Sequence, residues 1–268
     1  MLRWSTSTAL ALILTAFVVA ESRADVLVAG ADATAPINGP NRLDIMAGRI
    51  ANGATLGGYN FGNIVTFDSK SSTASLATLE QYSTVVVWSN FGFADATTFG
   101  NNLADYVDHG GNVIVMSVGS AIPPGGRWAT GGYDPLQSPG YAGDVASSLG
   151  TYVHSSPLFA GVTSIQGEYI QSGSVRPGAT LLGSWVYSFD SVNPAPLAIV
   201  SNGFSGKVVN LNFYGAYPYP NTSGDIDRLI ANAINYVTPT AVPEPATFII
   251  GLCSLALCAV SSRFRRAE

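Results

Sequence analysis

Few residues in this chain could do nucleophilic or acid–base chemistry. It has two histidines, His109 and His154, and two cysteines, Cys253 and Cys258, both in a C-terminal apolar run. The remainder can therefore form no disulfide, thiolate metal site or cysteine nucleophile. His109 ends an amphipathic stretch, where an imidazolium complements the negative end of a helix. His154, in a Ser-Ser-Pro-Leu-Phe segment, reads as a turn residue. They are far apart, with no Asp or Glu at ligand spacing, so no metal signature is present and no metal or cofactor is expected. Asp225 and Asp227 open the last helical pattern and suit its positive end better than a calcium site. Gly30-Ala31-Asp32 lacks the spacing of a dinucleotide loop, and Asn221-Thr222-Ser223 is a glycosylation triplet of the kind that arises by chance. Asp32 and Asp134 remain as carboxylates for a surface hydrolase, which would need a pair about 5–9.5 Å apart across a cleft.

Aromatic residues form the other constellation. Trp88, Asn90, Phe91 and Phe93 follow one strand-like run, Trp128 and Tyr133 lie in a long loop, and Tyr214, Tyr217 and Tyr219 follow a later strand. At one edge of a sheet they would make a rim on which sugar rings stack while amides and hydroxyls hydrogen-bond. The alternative is that they pack the long loop onto the sheet.

The elements that would position these groups alternate along the chain. Asp25–Ala31, Asn63–Phe67, Thr84–Trp88 and Asn112–Val118 read as strands. Between them, Asn41–Ala51 reads as a helix ending near Gly53, Leu76–Gln81 as a short helix capped by Ser75, and Asp95–His109 as a helix stopped by Gly110-Gly111. Later runs at Thr180–Val186, Leu197–Ser201 and Lys207–Tyr214 are strand-like, and Asp225–Val237 closes the pattern as an amphipathic helix. Ser120–Asp144 shows no periodicity. Uniformly apolar strands alternating with helices predict an α/β fold, a mostly parallel doubly wound sheet of flavodoxin-like type, with a ligand crevice at the C-terminal strand ends.

The composition is 47% hydrophobic and only 11% charged. Five of the 12 basic and three of the 17 acidic residues lie in the two ends, which leaves seven against fourteen between them. With no basic stripe, nucleic acid and strongly anionic partners are not expected.

Residues 1–24 have a basic start at Arg3, an apolar centre Ala9–Ala20 and small residues in Ser22-Arg23-Ala24, the pattern of a secretory signal peptide cut after Ala24. Residues 239–268 form a linker and tail: Val242-Pro243-Glu244-Pro245-Ala246, an apolar segment over 246–260, then Arg263, Arg265 and Arg266. As a helix that segment reaches about 22 Å, short of the ~30 Å hydrocarbon core, so it suits a transient membrane hold with arginines on the cytoplasmic side. This tail resembles the PEP-CTERM sorting signal of Gram-negative bacteria. The resemblance implies recognition by exosortase, a passing membrane anchor, and delivery to the cell surface or an exopolysaccharide or biofilm matrix.

The body, 25–238, resembles the class I glutamine amidotransferase-like superfamily and its ThuA-like branch. The resemblance lies in Tyr106-Val107-Asp108-His109-Gly110-Gly111 leading into Val113–Met116, in His154-Ser155-Ser156-Pro157-Leu158-Phe159-Ala160-Gly161-Val162, and in Gly206-Lys207-Val208-Val209-Asn210-Leu211-Asn212-Phe213 followed by the last helix. It implies a Cys–His–Glu triad whose positions fall here on Ser117, Tyr214 and Ala216. A serine with no base to take its proton is a poor nucleophile, and Val115 stands where the elbow usually has glycine. The expectation is a non-catalytic, exported domain that binds glycan through its aromatic rim. A carbohydrate-active hydrolase and a ligand-free adhesion module are the alternatives.

Overall fold

The computed structural model describes residues 24–32, 41–116, 123–140, 146–188, 193–217 and 222–238. The leader, the Val242–Ala246 motif, the 246–260 segment, Ser117, Tyr219 and Asn221 lie outside the described residues. Among the described residues no helix is long and apolar enough to cross a membrane.

Chain order begins with β1 (Ala24–Ala31), α1 (Arg42–Gly57), β2 (Phe61–Asp68), α2 (Leu76–Leu79), β3 (Thr84–Ser89), α3 (Ala96–Asp108) and β4 (Asn112–Met116). A short helix α4 (Gly126–Gly131) leads to β5 (Leu136–Gly140), β6 (Ser147–Tyr152), β7 (Ile165–Gly167) and β8 (Ser172–Val175). Then come β9 (Thr180–Ser188), β10 (Pro194–Val200), β11 (Val208–Leu211), β12 (Ser223–Gly224) and α5 (Ile226–Val237). The main sheet runs β12-β7-β6-β9-β10-β11-β4-β3-β1-β2, and β5 pairs with β8 in a separate ribbon.

Alternation along β1 assigns the two faces. Val26 and Val28 join α1 and α5 in one apolar cluster, through Leu43, Met46, Ile50, Leu229, Ile230 and Ile234. Leu27, Ala29 and Ala31 join α3 in another, with Phe99, Leu103 and Val107. All six residues of β3 are buried, as a strand covered on both faces requires, and each of its valines contributes about 1.5–3 kcal/mol of burial. The parallel part has the order β2-β1-β3-β4-β11, so the winding reverses between β1 and β3.

The sheet departs from the expected mostly parallel arrangement beyond β11, where β10, β9, β6, β7 and β12 are antiparallel. The connections β9–β10 and β10–β11 span a handful of residues, whereas a parallel crossover needs a dozen or more. The fold is mixed α/β, with helices on both faces of a sheet whose core is parallel.

Local chemistry sets the helix ends. The Asn41 side chain accepts from Leu43 N at 2.9 Å to start α1; Asp95 does the same for α3 from Thr98 N at 2.9 Å, and Ser75 for α2 from Thr78 N at 3.1 Å. Helix α1 runs past Gly53 and stops at Gly58, in the left-handed conformation at φ 71°. Gly53 is a packing glycine: a Cβ there would lie 1.9 Å from the Asp227 carbonyl oxygen of α5.

Candidate functional site

The β1/β3 reversal is where an open α/β sheet ordinarily offers a crevice. The first residue past β1 is Asp32, which is fully buried. Two residues earlier, Gly30 pairs in register with Trp88 on β3. A Cβ on Gly30 would lie 2.5 Å from Trp88 Cζ2; without one, the indole lies across β1 and its Nε1 donates to Asp32 Oδ2 at 2.8 Å. Asn90, just past β3, donates through Nδ2 to Asp32 Oδ1 at 3.2 Å. The strand ends are also fastened by backbone, since the N–H groups of Asn90 and Phe91 both donate to the Ala31 carbonyl at 2.9 Å.

The third donor comes from beyond β11. Asn212, fully buried, has its side chain bonded to both backbone groups of Gln171 (2.8 and 2.9 Å) and to the Pro196 carbonyl (2.8 Å). Tyr214 N donates to the Glu168 carbonyl at 3.1 Å. So held, the Tyr214 hydroxyl donates to Asp32 Oδ2. Burial, then the adjacent Asp32 carboxylate and its hydrogen bond, raise the Tyr214 phenol far above its ordinary range. A phenol so raised holds its proton and makes a poor base.

Aromatic rings roof this network. Tyr169 packs edge-on to Tyr214 and Tyr217, with centroids 5.8 and 5.1 Å away, and the Arg42 guanidinium lies 5.7 Å from the Tyr217 centroid. Tyr169 has φ 57°, a conformation a bulky residue adopts only when its surroundings impose it.

Of the three positions that the resemblance matches to a Cys–His–Glu triad, two are described, Tyr214 and Ala216. Ser117 lies outside the described residues; Tyr214 follows β11, whose Leu211 pairs with Met116 at the end of the parallel neighbour β4. Tyr214 is committed to Asp32, and Ala216 is buried in the apolar cluster.

The anticipated aromatic rim divides in two. Trp88, Asn90, Tyr214 and Tyr217 gather around Asp32, where Trp88 and Tyr214 are each only 2% exposed and present no open face. Trp128 and Tyr133 lie on the other face of the sheet, against α3. There Arg127 clamps Asp105 and Asp108, and Tyr133 donates to Asp108 at 2.8 Å.

The anticipated carboxylates divide in the same way. Asp134 accepts from Asn210 Nδ2 at 2.9 Å and from Leu136 N at 3.0 Å. Asn210 alternates on β11 with Val209 and Leu211, which face the α1/α5 side, so Asp134 lies on the α3 side while Trp88 and Tyr214 hold Asp32 on the other. A sheet separates them, and they form no pair across a cleft. Burial pushes Asp134 up to about 6, against the opposing effect of its hydrogen bonds and Arg176.

His109 is exposed at the end of α3, 2.8 Å from Glu80, and His154 packs its ring 4.2 Å from that of Tyr152. Asp225 accepts from Thr163 N, Thr163 Oγ1 and Ser164 N, and Asp227 pairs with Arg49 at 2.7 Å. Among the described residues no group of three or more His, Cys, Asp or Glu could hold a metal. Sequence reasoning missed Asp32 as a network centre, and Tyr169 and Arg42 as its cover. Asp32 directly after an apolar strand was a visible signal, whereas nothing in the sequence marks Tyr169.

No family model and no curated protein matches the chain. Solved structures do. A cytoplasmic protein from Salmonella typhimurium superposes with a TM-score of 0.52 at 12% identity, covering 79% of this chain and 98% of that one. A ThuA-like protein from Parabacteroides merdae gives 0.52 at 9% identity, covering 83% and 92%. A β-galactosidase from Rahnella gives 0.50 at 11% identity, covering 81% of this chain and 31% of the enzyme. The fold is that of ThuA-like proteins.

Proposed function

We propose that this chain is an exported, non-catalytic ThuA-like-fold domain that works at the cell surface or in the exopolysaccharide matrix of a Gram-negative bacterium. The observation that carries the non-catalytic part is the Asp32 network. The place where this fold would run chemistry holds a carboxylate already bonded to Trp88, Asn90 and Tyr214, and the residue in the histidine position is a phenol that keeps its proton. A nucleophile at Ser117 would find no proton acceptor at Tyr214 or Ala216.

The address comes from the ends. The leader ending at Ala24 and the Val242-Pro243-Glu244-Pro245-Ala246 tail with its terminal arginines support export followed by exosortase processing. That about a third of a β-galactosidase shares this fold supports a carbohydrate setting. Mass spectrometry of the mature protein from its producing cells tests the address. The expected product starts at Asp25 and ends between Val242 and Pro245. A product retaining Met1–Ala24 or Arg266 refutes it.

A further inference from the structure

A second concavity lies away from the C-terminal strand ends, where the β10–β11 hairpin meets α4 and the segment after β8. Its volume is about 300 Å³, and its lining includes Thr130, Gly132, Arg176, Ser201, Asn202 and Phe204. That is the lower end of the roughly 300–1,000 Å³ of small-molecule sites.

Its groups are preset. Trp128 stacks on Tyr133 at 5.6 Å and Tyr133 on Phe204 at 4.5 Å, with interplanar angles of 15° and 18°. The ladder ends at Phe204, whose inner face is covered by Tyr133 and whose ring lines the cleft. The buried pair Trp128 and Tyr133 is thus the backing of a platform. Arg176 is fixed through Nε, which donates to the Asp134 carbonyl at 3.0 Å. Its charge acts on the Asp134 carboxylate, but among the described residues its side chain forms no ion pair within 4 Å and no other hydrogen bond, so both terminal nitrogens keep donors for a ligand. Asn202 uses both amide hydrogens internally, on the Gly178 carbonyl (2.7 Å) and Thr180 Oγ1 (3.0 Å), which orients Oδ1 as an acceptor. Ser201 Oγ accepts from Val208 N at 3.0 Å and keeps its proton to donate.

A fixed cation with paired donors, a single aromatic platform and an oriented acceptor match a sugar acid: a bidentate carboxylate on guanidinium, a CH-rich ring face on phenyl, and hydroxyls on the amide and serine. We propose that this cleft binds a saccharide carrying an isolated carboxylate, with Arg176 on the carboxylate, Phe204 against the ring and Asn202 Oδ1 on a hydroxyl. Seven basic against fourteen acidic residues in the body repel a densely charged polyuronate, so the ligand carries its acid groups sparsely. That such a glycan meets the protein rests on the envelope reading above; the chemistry of the cleft does not.

The test is an NMR titration of the full chain in mild detergent and low salt, using glucuronosyl-glucose and the methyl ester of the same disaccharide. The acid is expected to bind at least tenfold tighter than its ester, with shifts centred on Asn202–Phe204. Arg176→Gln is expected to reduce that preference to less than twofold, and Phe204→Leu to weaken acid and ester alike by about fivefold or more. Equal binding of acid and ester, binding of neither, or an unchanged preference in Arg176→Gln overturns the proposal. The comparison of acid with ester in the unmodified protein decides it even if a variant fails to fold. A correctly processed chain that binds neither sugar sinks the cleft alone, whereas a chain that binds the acid but keeps its leader sinks the envelope reading alone.

Discussion

Replacing Tyr214 with phenylalanine deletes one oxygen and leaves the ring, so its effect isolates the bond to Asp32. That bond runs from a buried phenol to a fully buried carboxylate. A hydrogen bond to a charged group contributes about 1.5–3 kcal/mol, and losing it leaves Asp32 with fewer donors in a dry site. The expected cost is about 2 kcal/mol, or ~4–8 °C in Tm at the 2–4 °C per kcal/mol typical of a domain of this size. Differential scanning calorimetry of the two proteins at pH 7 reads it directly. Tyr217→Phe is the control, because that side chain is only partly buried and its ring, rather than its hydroxyl, meets Arg42 and Tyr169; a change within about 0.5 kcal/mol is expected. A residue kept for chemistry behaves differently, since active sites trade stability for function and truncating them is often neutral or stabilising. A Tyr214→Phe protein as stable as the original, or more so, refutes the reasoning that the network is a structural closure.

Two further outcomes follow from particular contacts. Gly53→Ala puts a methyl 1.9 Å from the Asp227 carbonyl oxygen, forces α1 from α5, and is expected to cost about 1–3 kcal/mol in urea unfolding, where the substitution in an open helix would stabilise. Asp134, raised to about 6 by burial, contributes stability that is fully present below the unfolded value near 3.8 and lost as pH rises through about 6; Asp134→Asn should therefore gain on the unmodified protein by up to about 3 kcal/mol between pH 4 and pH 7, and a difference that does not vary with pH contradicts this.

The parallel half of the fold was legible because its inner strands are buried on both faces and therefore apolar, as in Thr84–Trp88. Its helix caps were legible too, because Ser75 and Gly110 carry local signals that tertiary packing did not override. The antiparallel half was obscured. Strands such as Ser147–Tyr152 and Ser172–Val175 are short and polar, and α4 has glycine at both ends with no side-chain cap. The sequence does carry one signal of the antiparallel half: the five residues between the runs ending at Ser201 and starting at Lys207 leave no room for a parallel crossover. At the candidate site, residue types and their order along the chain indicated that aromatics would cluster near the strand ends. They could not indicate which rings turn inward. That was decided by Gly30, which lets Trp88 lie across β1, and by Asn212, which fixes the path to Tyr214.

The claim underlying the functional reading is that no base activates a nucleophile at the crevice. Treating the full chain with a fluorophosphonate, which forms adducts only with activated serines, and mapping the product by mass spectrometry addresses it most directly. The account predicts no adduct at Ser117 between pH 6 and 9. Stoichiometric labelling there, lost in Ser117→Ala, would contradict it.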